Sequence, residues 1–424
     1  MMTRHNIWRA GIALMVILAA AWMSYQAYRY FADPGALGNR EVLKGAIDLN
    51  MRYREVQAWF SGRPVYRTIG TAVYPPATYA ILGIVFNGLP WPVVKVLWFA
   101  GSLVSAGWLG ALLARHSGAE SRDERIFIGV MPFALYATGA AMGNGQLIVF
   151  VLPLVLCSLL MLARPTLTRR QLWVGSLFMV LSLVQPTIAA PFFWIVLFCS
   201  PRLRAAVIVV AGYVALTAVA LLFQMDAMAR AGSTGTPVGL MQIWTRKAQG
   251  GSFHGSITGG YGTIHDLAAE IGLHGWNWHA SLLVLVLLGA WILRQRKSDI
   301  WLLMGVAAIV ARVWAYHRWY NDLLLIVPLI SLLRMSREPT LSPKARIATV
   351  AILVWVWAFL LAPGVLYTVP SPDLLVGIQI AGWMAALVLL VTVTEADYRR
   401  RSNTTSKQLP PSGLLAKRRR ERSA

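Results

Sequence analysis

The sequence predicts an all-α polytopic membrane protein, a bundle of about twelve transmembrane helices whose first external loop carries interfacial helices. Three observations carry this reading. Of 424 residues, 57% are hydrophobic and only 13% charged, about half the charged share of a soluble domain. Several apolar stretches approach the roughly 20 residues needed to cross a bilayer. The Lys and Arg residues, which give a formal net charge of +22, fall mainly in short loops between those stretches and in the C-terminal tail. In a soluble chain that charge would suggest nucleic acid. Here it follows the positive-inside rule, and no nucleic-acid partner is expected.

Apolar segments fall at 7–31, 76–89, 92–115, 126–141, 146–163, 172–185, 187–199, 205–223, 279–294, 300–316, 319–334, 346–363 and 374–394. The first follows Arg4 and His5 and is too long for the apolar core of a signal peptide, so it reads as a transmembrane helix. Four basic loops are expected on the cytoplasmic side: Arg164/Arg169/Arg170, Arg202/Arg204, Arg294/Arg296/Lys297 and Arg334/Arg337/Lys344/Arg346. Loops 32–75, 142–145, 224–278 and 364–373 then face the other side, with the turns at Pro186 and His317. Arg115, Arg122 and Arg125 mark a further basic loop. If it too is cytoplasmic, residues 76–89 must dip in and return. Twelve crossings remain, with both termini cytoplasmic. In loop 32–75, Leu49, Tyr53, Val56, Trp59 and Phe60 share one helical face, which predicts an amphipathic helix over 47–60. Residues 1–398 form the membrane domain; 399–424, with Lys417 to Arg420, read as a basic disordered tail. Cys157 and Cys199 lie in or beside apolar segments and suggest neither a disulfide nor a metal cluster.

Ionisable groups at membrane depth are costly, so each is a functional candidate. Asp48 opens the predicted amphipathic helix, where it is either a reactive carboxylate or a capping residue. Arg312 lies in the apolar run 300–316, with Tyr316 one turn on and His317, Arg318, Asn321 and Asp322 just beyond. A lone Arg there either binds phosphate or pairs with an acid to lock two helices. His317 is either a site residue or an interfacial histidine.

The motifs are, in order, Asp48; Trp59-Phe60-Ser61-Gly62-Arg63-Pro64-Val65-Tyr66; Tyr74-Pro75-Pro76; Gly143-Asn144-Gly145-Gln146; Gln185-Pro186-Thr187; and His317-Arg318-Trp319-Tyr320-Asn321-Asp322. Over roughly 45–335 this pattern resembles glycosyltransferase family 87, within the GT-C fold, whose best-known members are polyprenol-phosphate-mannose-dependent α-mannosyltransferases. The resemblance implies a transfer that inverts the donor carbon, with Asp48 as the base on the acceptor hydroxyl. It implies a role for His317 in phosphate binding or in supporting the base. Arg52, Arg312 and Arg318 become candidate donor-phosphate ligands, and Tyr74, Gln146, Gln185 and Asp322 candidate sugar or acceptor contacts. Many relatives have Lys-Pro where this chain has Gln185-Pro186, and a glutamine cannot supply that charge.

The resemblance also implies the partners: a polyprenyl-phosphate-linked sugar, mannose before other sugars, and a lipid or glycan acceptor. The setting it suggests is a bacterial inner membrane with the site facing the periplasm. No cofactor and no metal are expected; His254, His265, His274 and His279 lack tight ligand spacing. Two other readings stay open. A transporter or flippase predicts matching halves, and no internal repeat is visible. A non-catalytic envelope-assembly protein would keep the same fold.

Overall fold

A computed structural model describes residues 4–32, 45–201, 203–232, 235–251, 263–265, 272, 277–315, 317–364 and 372–408. Its elements are helical: α1 (Arg4–Phe31), α2 (Ile47–Phe60), α3 (Val65–Thr68), α4 (Pro76–Phe86), α5 (Trp91–His116), α6 (Arg122–Ala134), α7 (Tyr136–Asn144), α8 (Ile148–Leu162), α9 (Arg169–Ser182), α10 (Pro186–Cys199), α11 (Arg204–Arg230), α12 (Pro237–Gly251), α13 (Asn277–Gln295), α14 (Ile300–Val313), a 3-10 turn (Trp319–Leu325), α15 (Ile326–Ser336), α16 (Pro343–Leu360) and α17 (Pro372–Gln408). Helix α17 continues into the stretch assigned to the tail. Lys417 to Arg420 lie outside the described residues, as do Asp33, Arg40, Glu41, Lys44, Arg202, His254, His274 and Tyr316.

By length and apolarity, five described helices could cross a membrane: α1, α5, α11, α16 and α17. A sixth candidate is α7 with α8, bent by 119° at their junction. This is fewer than the dozen read from the sequence, and burial explains why. The long helices α1, α11 and α16 bury only a minority of their side chains, whereas α8, α14 and α15 are buried almost throughout. A helix enclosed by other helices has its backbone satisfied by protein and need not match the full bilayer thickness.

Local chemistry sets the breaks. Pro residues stand at the first turn of α4, α10 and α16, where a missing N–H costs nothing. A capping box of Thr168 and Gln171 starts α9. The segment 126–141, read as continuous, is divided at Leu135. That residue is extended and pairs with Leu361, while Ala362 N donates to Ala134 O at 2.9 Å.

Two ends can be told apart by their charges. At the basic end, Arg334 donates to His116 O and pairs with Asp299, both at 3.1 Å. Arg337 donates to Gly118 O at 2.7 Å and pairs with Glu124, and Arg294 meets Glu395 at 3.1 Å. These contacts gather the loops after α5, α13 and α15 with α17, so the Arg115/Arg122/Arg125 loop joins the basic loops at 294–297 and 334–346. Helix α2 sits at the opposite end, with Leu49, Val56 and Trp59 buried as the predicted face requires. Helix α4 starts beside it at Pro75. It also finishes beside it, where Gln57 donates to Phe86 O and Tyr53 to Leu89 O, both at 2.9 Å. Both ends of 76–89 thus lie beside α2 at this end, and α5 makes the next pass.

The turn between α7 and α8 seats α2. Gly145 has φ +73°, and a Cβ there would lie 2.4 Å from Leu49 Cβ. Ala46 N donates to Gly143 O at 2.8 Å. Gly145→Ala combines left-handed strain with a clash against α2. It is expected to cost about 1–3 kcal/mol, read as a lower melting temperature in detergent; an unchanged melting temperature would mean that α2 is not seated by this turn.

Candidate functional site

Beneath α2 lies a cavity of about 370 Å3, within the ~300–1,000 Å3 range of small-ligand sites. Four short segments build its wall. From α2 come Asp48 and Arg52; from the strap before α4, Gly70 to Pro75 with Tyr74; from the α7–α8 turn, Gln146; and from the start of α10, Gln185 to Thr187. Arg318, Tyr320 and Asn321 close it. Of the nine residues singled out in the sequence, six line this cavity: Asp48, Arg52, Tyr74, Gln146, Gln185 and Arg318.

The Asp48 carboxylate accepts a hydrogen bond from the Gln146 amide. Burial pushes its pKa above the usual carboxylate range, and Arg52, the Gln146 amide and Arg318 pull it back only in part. Asp48 and Arg52 are one turn apart on the same face of α2. The Arg52 guanidinium lies 4.5 Å from the Tyr74 ring centroid and pairs with Glu55 at 2.7 Å. Burial disfavours its charge, but Glu55, Tyr74, Tyr79 and Asp48 together more than restore it. Glu55 is fully buried; Thr71 Oγ1 donates to it at 2.9 Å and the Tyr79 hydroxyl at 3.3 Å. Gln185 is 7% exposed, and its Oε1 has no hydrogen-bond partner. It offers an acceptor to a bound hydroxyl without the positive charge a lysine would bring.

Arg312, Asp322 and His317 do not line the cavity. Arg312 and Asp322 are each 1% exposed and pair with each other. Asp322 also accepts from the Tyr136 hydroxyl, and the Arg312 guanidinium stacks 4.8 Å from the Trp383 ring centroid. This is the helix-locking arrangement weighed against phosphate binding, and it joins α7, α14, the 3-10 turn and α17. His317 is 1% exposed; the Asn321 amide lies 3.0 Å from Nδ1, and Nε2 lies 3.3 Å from Thr187 O. Both nitrogens are engaged inside the protein. The imidazole holds the turn that presents Arg318 and Asn321 against the segment that presents Gln185.

Glu55 is the residue the sequence reading missed, although a signal existed. Asp48, Arg52 and Glu55, at spacings of four and three, share one face of the predicted helix. Tyr136 and Trp383 carried no such signal, lying far from Arg312 in the chain. Of the loop histidines, His265 is buried with Nε2 at 2.8 Å from Ser281 Oγ and 3.0 Å from Trp314 O, and His279 is exposed. Among the described residues, no three His, Cys, Asp or Glu side chains gather as a metal site.

The family model for glycosyltransferase family 87 (GT87) matches residues 72–333. That range spans Tyr74, Gln146, Gln185 and the 312–322 cluster and begins after α2, so Asp48 and Arg52 precede it. No curated protein and no solved structure matches the chain.

Proposed function

Since the chain belongs to glycosyltransferase family 87 and is a membrane glycosyltransferase, we propose that it moves a sugar, mannose before others, from a polyprenyl-phosphate donor to a lipid or glycan acceptor by a single inverting displacement. The observation that carries the reading is the Asp48 carboxylate, held by Gln146 in a cavity that also receives Arg52 and Arg318.

The acceptor hydroxyl lies against Asp48. Its oxygen attacks the anomeric carbon, the bond from that carbon to the phosphate oxygen breaks, and the proton passes to the Asp48 carboxylate. Polyprenyl monophosphate leaves with the bonding electrons. Arg52 and Arg318 balance the charge that grows on its oxygens. Tyr74, Gln146 and Gln185 contact sugar or acceptor hydroxyls. Glu55 holds Arg52 along the wall, while His317, Arg312 and Asp322 position the segments that carry Arg318, Asn321 and Gln185. No step calls for a metal or a cofactor.

In this reading the chain makes twelve crossings, with α4 uncounted and both termini on the basic side. If that side is cytoplasmic, as the positive-inside rule requires, the site opens to the periplasm of a bacterial inner membrane. The membrane domain then covers 1–398, and the basic tail 399–424 lies on the cytoplasmic side.

The test is transfer of radiolabelled mannose from polyprenyl-phosphate-mannose to a membrane lipid extract by the purified protein. Acid-stable label in lipid or glycan is expected. Turnover of a nucleotide sugar, with none of any polyprenyl-phosphate sugar, would overturn the donor class.

A pH dependence follows from the site. The base must be ionised, so kcat/KM falls as pH drops through the pKa of Asp48, above the ordinary carboxylate value of about 4. The Gln146 hydrogen bond lowers that pKa. Gln146→Ala removes it, so the acid limb should move to higher pH. A limb that stays in place, or moves down, would remove Asp48 as the titrating group.

A further inference from the structure

A second cavity lies at the basic end, opposite the end that holds Asp48. Its volume is about 570 Å3, again within the ~300–1,000 Å3 range of small-ligand sites. Ser117 of the α5–α6 loop, Asp299 before α14, Arg334 of α15 and Glu338 just beyond α15 give it a polar wall. Leu389 and Val393 of α17 give it an apolar one. It is flanked by the first turn of α16 and by the last two turns of the apolar stretch Leu374–Ala396 of α17, both helices long enough to cross a membrane. The cavity therefore lies at the depth where a bilayer passes from acyl chains to headgroups.

Two donors in this cavity are unanswered. Ser117 is fully buried, and its hydroxyl has no hydrogen-bond partner among the described residues; Arg334 Nε is buried and has none either. The other nitrogens of Arg334 are committed, Nη1 to His116 O and Nη2 to Asp299, both at 3.1 Å. A donor buried without an acceptor is costly, and a hydroxyl beside a guanidinium edge suits a phosphate oxygen. The same wall carries acid. Asp299 is engaged by Arg334 and by Trp301 N at 2.8 Å. Glu338 is exposed; its carboxylate accepts from the Thr340 hydroxyl at 3.2 Å and pairs with no Lys or Arg side chain among the described residues. A wholly anionic ligand would set its charge beside two carboxylates, and an uncharged one would leave both donors unanswered.

We propose that this cavity binds an aminophospholipid from the leaflet at the basic end. The phosphodiester takes the Ser117 hydroxyl and Arg334 Nε, the ammonium group turns to Glu338, and an acyl chain runs along Leu389 and Val393 of α17. Both charges of such a headgroup then meet their complement, and its tail stays in the bilayer. The bound lipid ties the α5–α6 loop to α15 and α17 where the basic loops meet. It is neither donor nor acceptor, and its site stands whether or not the transferase reading does.

The experiment titrates the delipidated full-length protein in detergent with dioleoyl phosphatidylethanolamine or dioleoyl phosphatidylglycerol and counts bound lipid by native mass spectrometry. Phosphatidylethanolamine should bind about threefold tighter or more. Ser117→Ala should weaken it about fivefold, without lowering the melting temperature of the lipid-free protein, because the hydroxyl it removes has no partner there. Glu338→Gln, at an exposed position, should abolish the preference between the two lipids and leave phosphatidylglycerol binding no weaker. Arg334 is kept because it holds the His116 and Asp299 segments together. Equal affinity of the wild type for both lipids, or tighter binding of phosphatidylglycerol, overturns the aminophospholipid. Binding that neither variant alters places the lipid elsewhere and overturns the site. Displacement of the lipid by water-soluble glycerophosphoethanolamine at equal concentration assigns the cavity to a free phosphate ester and overturns the membrane source.

Discussion

Asp48→Asn is expected to lower kcat by about 10²–10⁴-fold, with donor KM little changed and the protein still folded. The amide keeps the volume of the carboxylate and still offers an oxygen to Gln146, so packing at the start of α2 should survive. What it cannot do is take a proton. In the proposed reaction Arg52 and Arg318 hold the donor, and the substitution leaves both in place, so the loss should fall on turnover. The measurement is the steady-state rate beside the melting temperature of the same preparation. A variant within about threefold of wild type would remove Asp48 from the reaction. Glu55 could not simply replace it: that carboxylate is fully buried, paired with Arg52 and bonded by Thr71 and Tyr79. Equal loss of rate and melting temperature would instead mark Asp48 as a structural cap.

The architecture was legible where the signal was local. The amphipathic face Leu49/Val56/Trp59 lies within one stretch of chain, and its helix has the bounds that its periodicity predicts. The basic loops that meet at one end were readable because a transmembrane chain sorts charge by side. Charge alone left the course of 76–89 open, and it is the contacts of α4 with α2 at both of its ends that place both ends of this segment on one side. Length was the poor guide. Helices such as α14 and α15 are short because they are enclosed, and enclosure depends on neighbours distant in sequence. The site divides likewise. Asp48, Tyr74, Gln146, Gln185 and Arg318 converge because each stands at a helix start or a turn at the same end, and Arg52 joins them from one turn further along α2. For Arg312 the residue type was informative and the partner was not. A guanidinium in an apolar helix needs an anion, and only the path of the chain through the 3-10 turn decides that Asp322 supplies it.

The ion pair makes the second large prediction. Asp322→Ala leaves the Arg312 guanidinium charged, buried and without its carboxylate, and also strips the Tyr136 hydroxyl of its acceptor. Removing one partner of a buried pair costs about 3–5 kcal/mol, enough to lower the melting temperature in detergent by many degrees. Replacing both, with Arg312→Met and Asp322→Leu, removes the charges together and should recover most of that loss, since well-packed apolar residues often match a buried pair. The same two variants separate the two roles open to Arg312. If it acts only by joining α7, α14, the 3-10 turn and α17, the double variant regains both its melting temperature and its donor KM. If it reaches the donor phosphate during turnover, stability returns while donor KM stays high. The first outcome is expected, because Arg312 Nη1 lies 3.4 Å from His317 O, its Nε pairs with Asp322, and the Trp383 ring covers its face. A guanidinium held from three directions would have to break this lock to meet a ligand in the cavity, and the turn that presents Arg318 would move with it.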